Sequence, residues 1–299
     1  MQRFPYAVLA TGVLAVSSAS ILIRYAQAQG MGELAIAAYR LLFAALLLMP
    51  FAVTAGVTAL RRFSRAELVR IAAAGSCLAI HFAAWISSLA YTSVASSVAL
   101  VTSHPLWVAL VAYLVFRDRP GRLTLLGIGL TLVGAAIIMW SDQSGGIGPA
   151  PLVGNLLAII GAVSIAVYIL LARSMRLAIG TLGYVWVVYA IAAVLLVLGA
   201  AGAGRLFTGL SVVGLSFVLS MAVGPQLIGH TAINYAARHL QPTMVSVAIL
   251  GEPVLSAAFA WVLFGESVAP LQMAGFALTL GGILLCALDN RFNEAAEQG

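Results

Sequence analysis

The chain has no lysine, and only 8% of its 299 residues are charged. A soluble domain carries roughly a quarter charged residues, so that class is excluded. Cysteine is scarce as well. Cys77 and Cys286 are the two present, and both fall inside apolar runs. That reads as two small buried hydrophobes and excludes a disulfide scaffold. No His/Cys/Asp/Glu spacing resembles a metal site, no Gly-rich loop follows a strand pattern, and no Ser/His/Asp set is legible. Neither a metal, a cofactor nor a nucleotide is therefore expected. The net charge of +6 comes from 15 arginines set at the ends of apolar segments, which does not describe a nucleic-acid surface.

What remains is apolar. Hydrophobic residues make up 63% of the chain, and its mean hydropathy is +1.08. This is the composition of an all-α integral membrane protein whose first partner is the lipid bilayer. About 20 apolar residues are needed per crossing helix, and that rule gives ten spans. They are 5–26, 33–55, 68–90, 94–116 and 122–140, then 152–172, 181–201, 210–233, 243–264 and 268–288. The Gly-, Pro- and Ser-rich stretch 141–151 is the only linker between them. It separates a first unit, 1–140, from a second, 152–288, and leaves a polar, solvated tail at 289–299. The N-terminus imitates a signal peptide, with Arg3 ahead of an apolar run and Ala26-Gln27-Ala28 as a cleavage-like triplet. The run is long enough to span, Arg24 crowds the supposed cut, and the segment has a counterpart in the second unit, so it reads as the first crossing helix.

The two units repeat. Sliding one stretch by 252 − 104 = 148 positions sets Pro105 on Pro253, Phe116 on Phe264, Asp118 on Glu266, Gly127 on Gly275 and Gly134 on Gly282. A shift of 149 sets Gly12 on Gly161 and Arg24 on Arg173. Five spans per unit is an odd number, so the second unit must enter the membrane from the opposite side. The expectation is two inverted five-helix repeats around a central cavity. With the N-terminus inside, Arg3, Arg61, Arg62, Arg65, Arg70, Arg117, Arg119, Arg122, Arg173, Arg176, Arg238 and Arg291 lie on the inner side. Only Arg24, Arg40 and Arg205 lie on the outer half. This asymmetry puts both termini in the cytoplasm. The glycine pairs Gly127/Gly134 and Gly275/Gly282 are each seven apart, on one helix face, and read as close packing contacts.

Candidate chemistry sits at mid-depth. His104-Pro105 interrupts span 94–116, and Glu252-Pro253 interrupts span 243–264. Proline removes a helical hydrogen bond and frees a carbonyl. In a membrane such breaks are tolerated where they line a cavity or are covered by protein. A charge at the bilayer centre costs about 2.5–3.5 kcal/mol on insertion scales. A functional Glu252 therefore stands beside the bland alternative of a carboxyl that locks the kink. For His104 the bland reading leads. His81 and Trp85 are four apart, on one face. Gln226 follows Gly224-Pro225 in the middle of its span. Trp186 and Tyr189 share span 181–201, where aromatics commonly pack or anchor. Arg40 stands two turns into span 33–55, with Glu33 seven residues before it on the same face. An outer-end ion pair is the leading reading there, and a substrate-anion contact the sharper one. His230, Asn234 and Tyr235 read as capping or interfacial groups.

The stretches AAYRLLFAALLL (37–48), SLAYTSVASSVAL (88–100), HP…FRDRP (104–120) and EP…FGE (252–266) resemble the EamA type of the drug/metabolite transporter superfamily. The likeness covers nearly the whole chain, and the Glu-Pro/Phe-Gly-Glu stretch is its most specific part. It implies a ten-helix, export-type carrier of the bacterial inner membrane with a central cavity, an architecture shared by aromatic amino-acid exporters. The first unit departs from the second in chemistry, with His-Pro and Arg-Asp where the second has Glu-Pro and Gly-Glu. The combined expectation is a secondary-active exporter of a small metabolite, with amino acids the leading class. Its substrate site is drawn from Arg40, His81, Trp85, His104, Trp186, Tyr189, Gln226 and Glu252. His81, His104 and Glu252 are the candidate carriers of a coupled proton. A channel or facilitator and a membrane-embedded enzyme are the alternatives.

Overall fold

The computed structural model describes residues 4–117, 120–145, 147–179, 181–237, 239–240 and 242–289. Arg3, Asp118, Arg119, Arg238, Arg291 and the tail from residue 290 onward lie outside them. The described residues are helices joined by short connections. The first unit holds α1 (Phe4–Ser17), α2 (Ala19–Ala28), α3 (Glu33–Arg62), α4 (Arg65–Tyr91), α5 (Val94–Val101), α6 (His104–Phe116) and α7 (Arg122–Gln143). The second holds α8 (Pro151–Ile179), α9 (Thr181–Gly202), α10 (Val212–Met221), a π-helical stretch Ala222–Gly229, α11 (His230–Ala237), α12 (Pro242–Ile249), α13 (Gly251–Phe264) and α14 (Pro270–Leu288). Among the described residues, nine helical stretches are long and apolar enough to cross a membrane, one of them, Val94–Leu114, made of α5 and α6. The remaining expected span, 243–264, is divided into α12 and α13. The architecture is all-α and multi-span.

The ends follow local chemistry. Ser64 caps α4 in a reciprocal box with Glu67, and Ser93 and Ser211 accept N–H bonds at the starts of α5 and α10. The two proline breaks fall one turn earlier than the sequence suggested. α5 ends at Val101 and α12 at Ile249, each four residues before its proline (105 − 4 and 253 − 4). The proline ring clashes with the carbonyl of residue i−4 and withholds that carbonyl's N–H donor, so the helix is lost there. The proline itself then starts the next helix comfortably. The 148-residue offset persists at the far ends of these segments. α6 closes on Arg117 at φ 62° and α13 on Gly265 at φ 68°, both left-handed. Arg117 is the only described non-glycine residue with positive φ, a conformation that disfavours any side chain with a Cβ.

Helices from different units pack pairwise: α7 on α14, α4 on α8, α3 on α9, and α1 on α11 and the π stretch. At the α7/α14 crossing the four glycines interlock. A Cβ on Gly127 would come within 2.5 Å of the Gly282 carbonyl oxygen, and one on Gly134 within 2.6 Å of that of Gly275. Small residues let the backbones meet, as packing in lipid requires. Two expected loop positions are helical or buried instead. α7 runs on through Ser141 and Asp142, so the linker begins later than 141. Asp289, expected in a solvated tail, is buried. Its Oδ2 accepts the Thr124 N–H at 3.0 Å and the Thr124 hydroxyl at 2.8 Å. A carboxylate suits the open N–H groups of a helix start.

Candidate functional site

A cavity of about 310 Å³ lies between the units, the size of a small-molecule site. Seven of the eight residues named from sequence line it: Arg40, His81, Trp85, His104, Tyr189, Gln226 and Glu252. Trp186 does not. Its ring packs beside Gly56, where an added Cβ would come within 2.7 Å of Trp186 Cε3. Both proline breaks reach the cavity, through Val101, Thr102 and His104 from the first unit and Ile249 and Glu252 from the second.

Arg40 overturns the expectation of an outer-end ion pair with Glu33. It is only 2% exposed. Its Nε and Nη2 donate to Gln226 Oε1 at 3.1 and 2.7 Å. Gln226 Nε2 in turn donates to the Tyr189 hydroxyl at 2.6 Å. The guanidinium carbon stands 4.6 Å from the Phe82 ring centroid and 5.6 Å from that of Trp85, so the charge rests on aromatic faces. The reason lies in direction: residue 40 faces the protein interior, where a fixed amide oxygen and two rings offer more than a half-exposed carboxylate.

Gln226 is presented by the π stretch Ala222–Gly229, which contains Pro225. Proline's missing donor widens the helix locally, and such bulges are frequent at functional sites. His81 and Trp85 stack with centroids 5.9 Å apart. His81 Nδ1 donates to the Gly161 carbonyl at 2.9 Å, which leaves Nε2 as the free ring position.

His230 and Asn234 are corrections. Expected as capping or interfacial groups, they line the cavity. A signal existed: Gln226, His230 and Asn234 follow one another at intervals of four, a polar stripe on one helix face. Tyr235, beside Asn234, meets Phe4 of α1 with ring centroids 6.0 Å apart.

A polar junction that sequence reading missed ties helix ends together outside the cavity lining. Arg24 Nη2 donates to Glu266 Oε1 and to the Thr92 carbonyl, both at 2.9 Å. Glu266 Oε2 accepts the Val94 N–H at 2.8 Å, at the start of α5. Beside it, Asp142 accepts from Asn155 Nδ2 at 2.7 Å and from Gln272 Nε2 at 2.8 Å, and Gln272 also reaches Ser96 Oγ at 2.7 Å. Ends of α2, α5, α7, α8 and α14 are tied there. Arg24 and Arg40, two of the three arginines expected on the outer half, are therefore bonded to other parts of the protein.

Comparison with known proteins places these features in a family. The model of the EamA-like transporter family matches the chain twice, over residues 3–140 and 152–288. A solved structure described only as a crystal structure of a protein superposes with a TM-score of 0.61 and 20% identity, over 94% of this chain and 95% of that one. At that identity the likeness concerns the fold alone. None of the curated proteins compared matches the chain.

Proposed function

The chain belongs to the EamA-like transporter family, and on that premise we propose that it is a secondary-active exporter of a small metabolite, with amino acids and related compounds the leading class. It works by alternating access from the bacterial inner membrane. The observation that carries this reading is the cavity at the two proline breaks, lined by residues of both units. The family is one of transporters rather than enzymes, and the chemistry of the cavity suits binding and release.

Two inverted five-helix repeats, 1–140 and 152–288, form the moving halves. The pattern of helix contacts supports this, because exchanging the units leaves it unchanged. α4 on α8 becomes α1 against α11 and the π stretch, whereas α3 on α9 and α7 on α14 map onto themselves. The distribution of arginines supports cytoplasmic termini. On that orientation the cavity opens to the cytoplasm at His230 and Asn234, and the Arg24–Glu266 junction shuts the outer side. A channel would need a continuous polar path, and the junction argues against one.

Proton coupling is part of the proposal. His81, with Nδ1 committed to Gly161, has Nε2 to receive a proton, and His104 and Glu252 border the same space. The test is counterflow in proteoliposomes, loaded with candidates drawn from a metabolite screen of overproducing and deleted cells. Saturable exchange is expected, together with acceleration when the outside is made acid. Flux that is linear with concentration would favour a channel. Exchange indifferent to an imposed pH gradient would remove the proton.

A further inference from the structure

Two hydrogen-bond donors on the cavity wall have no acceptor among the described residues: Arg40 Nη1 and the Trp85 indole Nε1. Both side chains are deeply buried, at 2% and 6% exposure. Both residues line the cavity, and the guanidinium carbon stands 5.6 Å from the Trp85 ring centroid, so the two side chains meet at one corner of its wall. Leaving a buried donor unmade carries its full desolvation penalty, and two together mark a place where the missing acceptor comes from outside the chain.

The neighbours narrow that acceptor. Arg40 is held by a neutral amide: Gln226 takes Nε and Nη2 with one oxygen and is itself held by Tyr189. This fixes the guanidinium plane and leaves its charge without an ionic contact. The carboxylate of Glu252 lines the same cavity, but the described residues contain no ion pair between it and Arg40. A neutral solute would leave Arg40 unanswered. A dianion such as phosphate would bring two charges to one cation and face Glu252 as well. A monovalent, planar acceptor with two oxygens matches the two single donors.

We infer that this corner receives the carboxylate of the transported solute, one oxygen taking a hydrogen bond from Arg40 Nη1 and the other from Trp85 Nε1. This rests on the carrier reading and adds to it the two donors that hold the solute's carboxylate. Phe82 and Trp85 sheath the charge, so the carboxylate arrives with little of its water. Glu252 borders the rest of the space and suits a cationic group at the solute's other end. A zwitterion therefore fits better than a plain anion.

The experiment is proteoliposome exchange with matched probes: the proteinogenic amino acids, and the amines obtained by removing their carboxyl groups. Exchange confined to carboxylate-bearing probes is expected. Trp85→Phe keeps the ring and removes the N–H. It should raise the half-saturation concentration of the best carboxylate about tenfold or more, the scale of a hydrogen bond to a charged group. Arg40→Lys keeps the charge without the fork and should weaken it further. Because Arg40 is buried, the Trp85 variant decides the matter if the lysine variant fails to fold. Amines exchanging as well as their parent amino acids, or an unchanged half-saturation in Trp85→Phe, would overturn the inference. If neither probe set exchanges but a metabolite without a carboxylate does, the inference falls and the carrier stands. If nothing from a cell extract exchanges, both fall.

Discussion

The molecule carries two polar clusters of similar composition, arranged in opposite ways. At the helix-end junction Arg24 and Glu266 touch at 2.9 Å. In the cavity Arg40 and Glu252 border one space without an ion pair. Opposite charges in contact neutralise each other and tie helix ends together. Opposite charges held apart leave room for a solute that answers both. A buried pair is weak evidence of net stabilisation, yet breaking it by removing one partner is strongly destabilising. The comparison teaches that pairing, rather than the mere presence of charge, separates a closure from a binding site.

The sharpest way to break this comparison is to remove the carboxylate of the cavity. Glu252→Gln should insert and fold normally, because Glu252 is only partly buried and the amide keeps its size. Exchange should fall by roughly 100-fold, the size expected when a charged contact worth about 2.7 kcal/mol is lost. Normal exchange in a well-expressed variant would return Glu252 to the role of a kink-former. The matching change at the junction should behave differently. Glu266→Gln leaves Arg24 partly buried with its charge unanswered, at a cost on the order of 3 kcal/mol. The purified protein should melt at lower temperature, and a cysteine placed at Ser96 should become reactive to an impermeant thiol reagent added from outside. Restoration of both properties by the exchange Arg24→Glu with Glu266→Arg would show that contact itself is what matters. Labelling at Ser96 that stays as slow as in the parent would remove the junction as a gate.

Asp142→Asn is a milder probe of the same end. One acceptor oxygen becomes a donor and faces the amide of Asn155 or Gln272, at a cost of roughly 1–2 kcal/mol. A modest loss of thermal stability with near-normal affinity for substrate is expected. A large loss of affinity would mean that the two clusters are coupled through α5, which meets both.

Much of this was legible in the sequence, for identifiable reasons. Span positions follow from hydropathy alone, and the helices depart from them by a few residues at most sites. The proline breaks were legible as events. Their location one turn upstream requires the carbonyl at i−4, a three-dimensional consequence of the ring. Cavity residues were found where depth and residue type sufficed, as for His81, Gln226 and Glu252. The junction was missed because its members are far apart in sequence: Arg24 and Glu266 are separated by 242 residues, and Asp142 was assigned to a linker. The chain has nine acidic residues in all, and that scarcity was a usable signal. In so apolar a chain, each carboxylate at a helix end calls for a partner.

Trp186 tests the reverse error. Depth and aromatic character put it beside Tyr189 as a candidate, three residues away on α9. The structure separates them. The Tyr189 hydroxyl accepts from Gln226 and faces the cavity, whereas the Trp186 ring lies against Gly56 of α3. Positions three apart on a helix are neighbours but not coincident, and a rotation of some 60° carries the second residue from the cavity to the helix–helix seam. Trp186→Phe should therefore shift half-saturation by less than about twofold, while thermal stability falls through lost packing at Gly56. Tyr189→Phe should do the opposite, weakening the hold on Gln226, and so on Arg40, with little thermal cost. Should Trp186→Phe prove the more damaging to affinity, the seam between α3 and α9 must itself move during transport, and the boundary drawn between site and scaffold would have to include it.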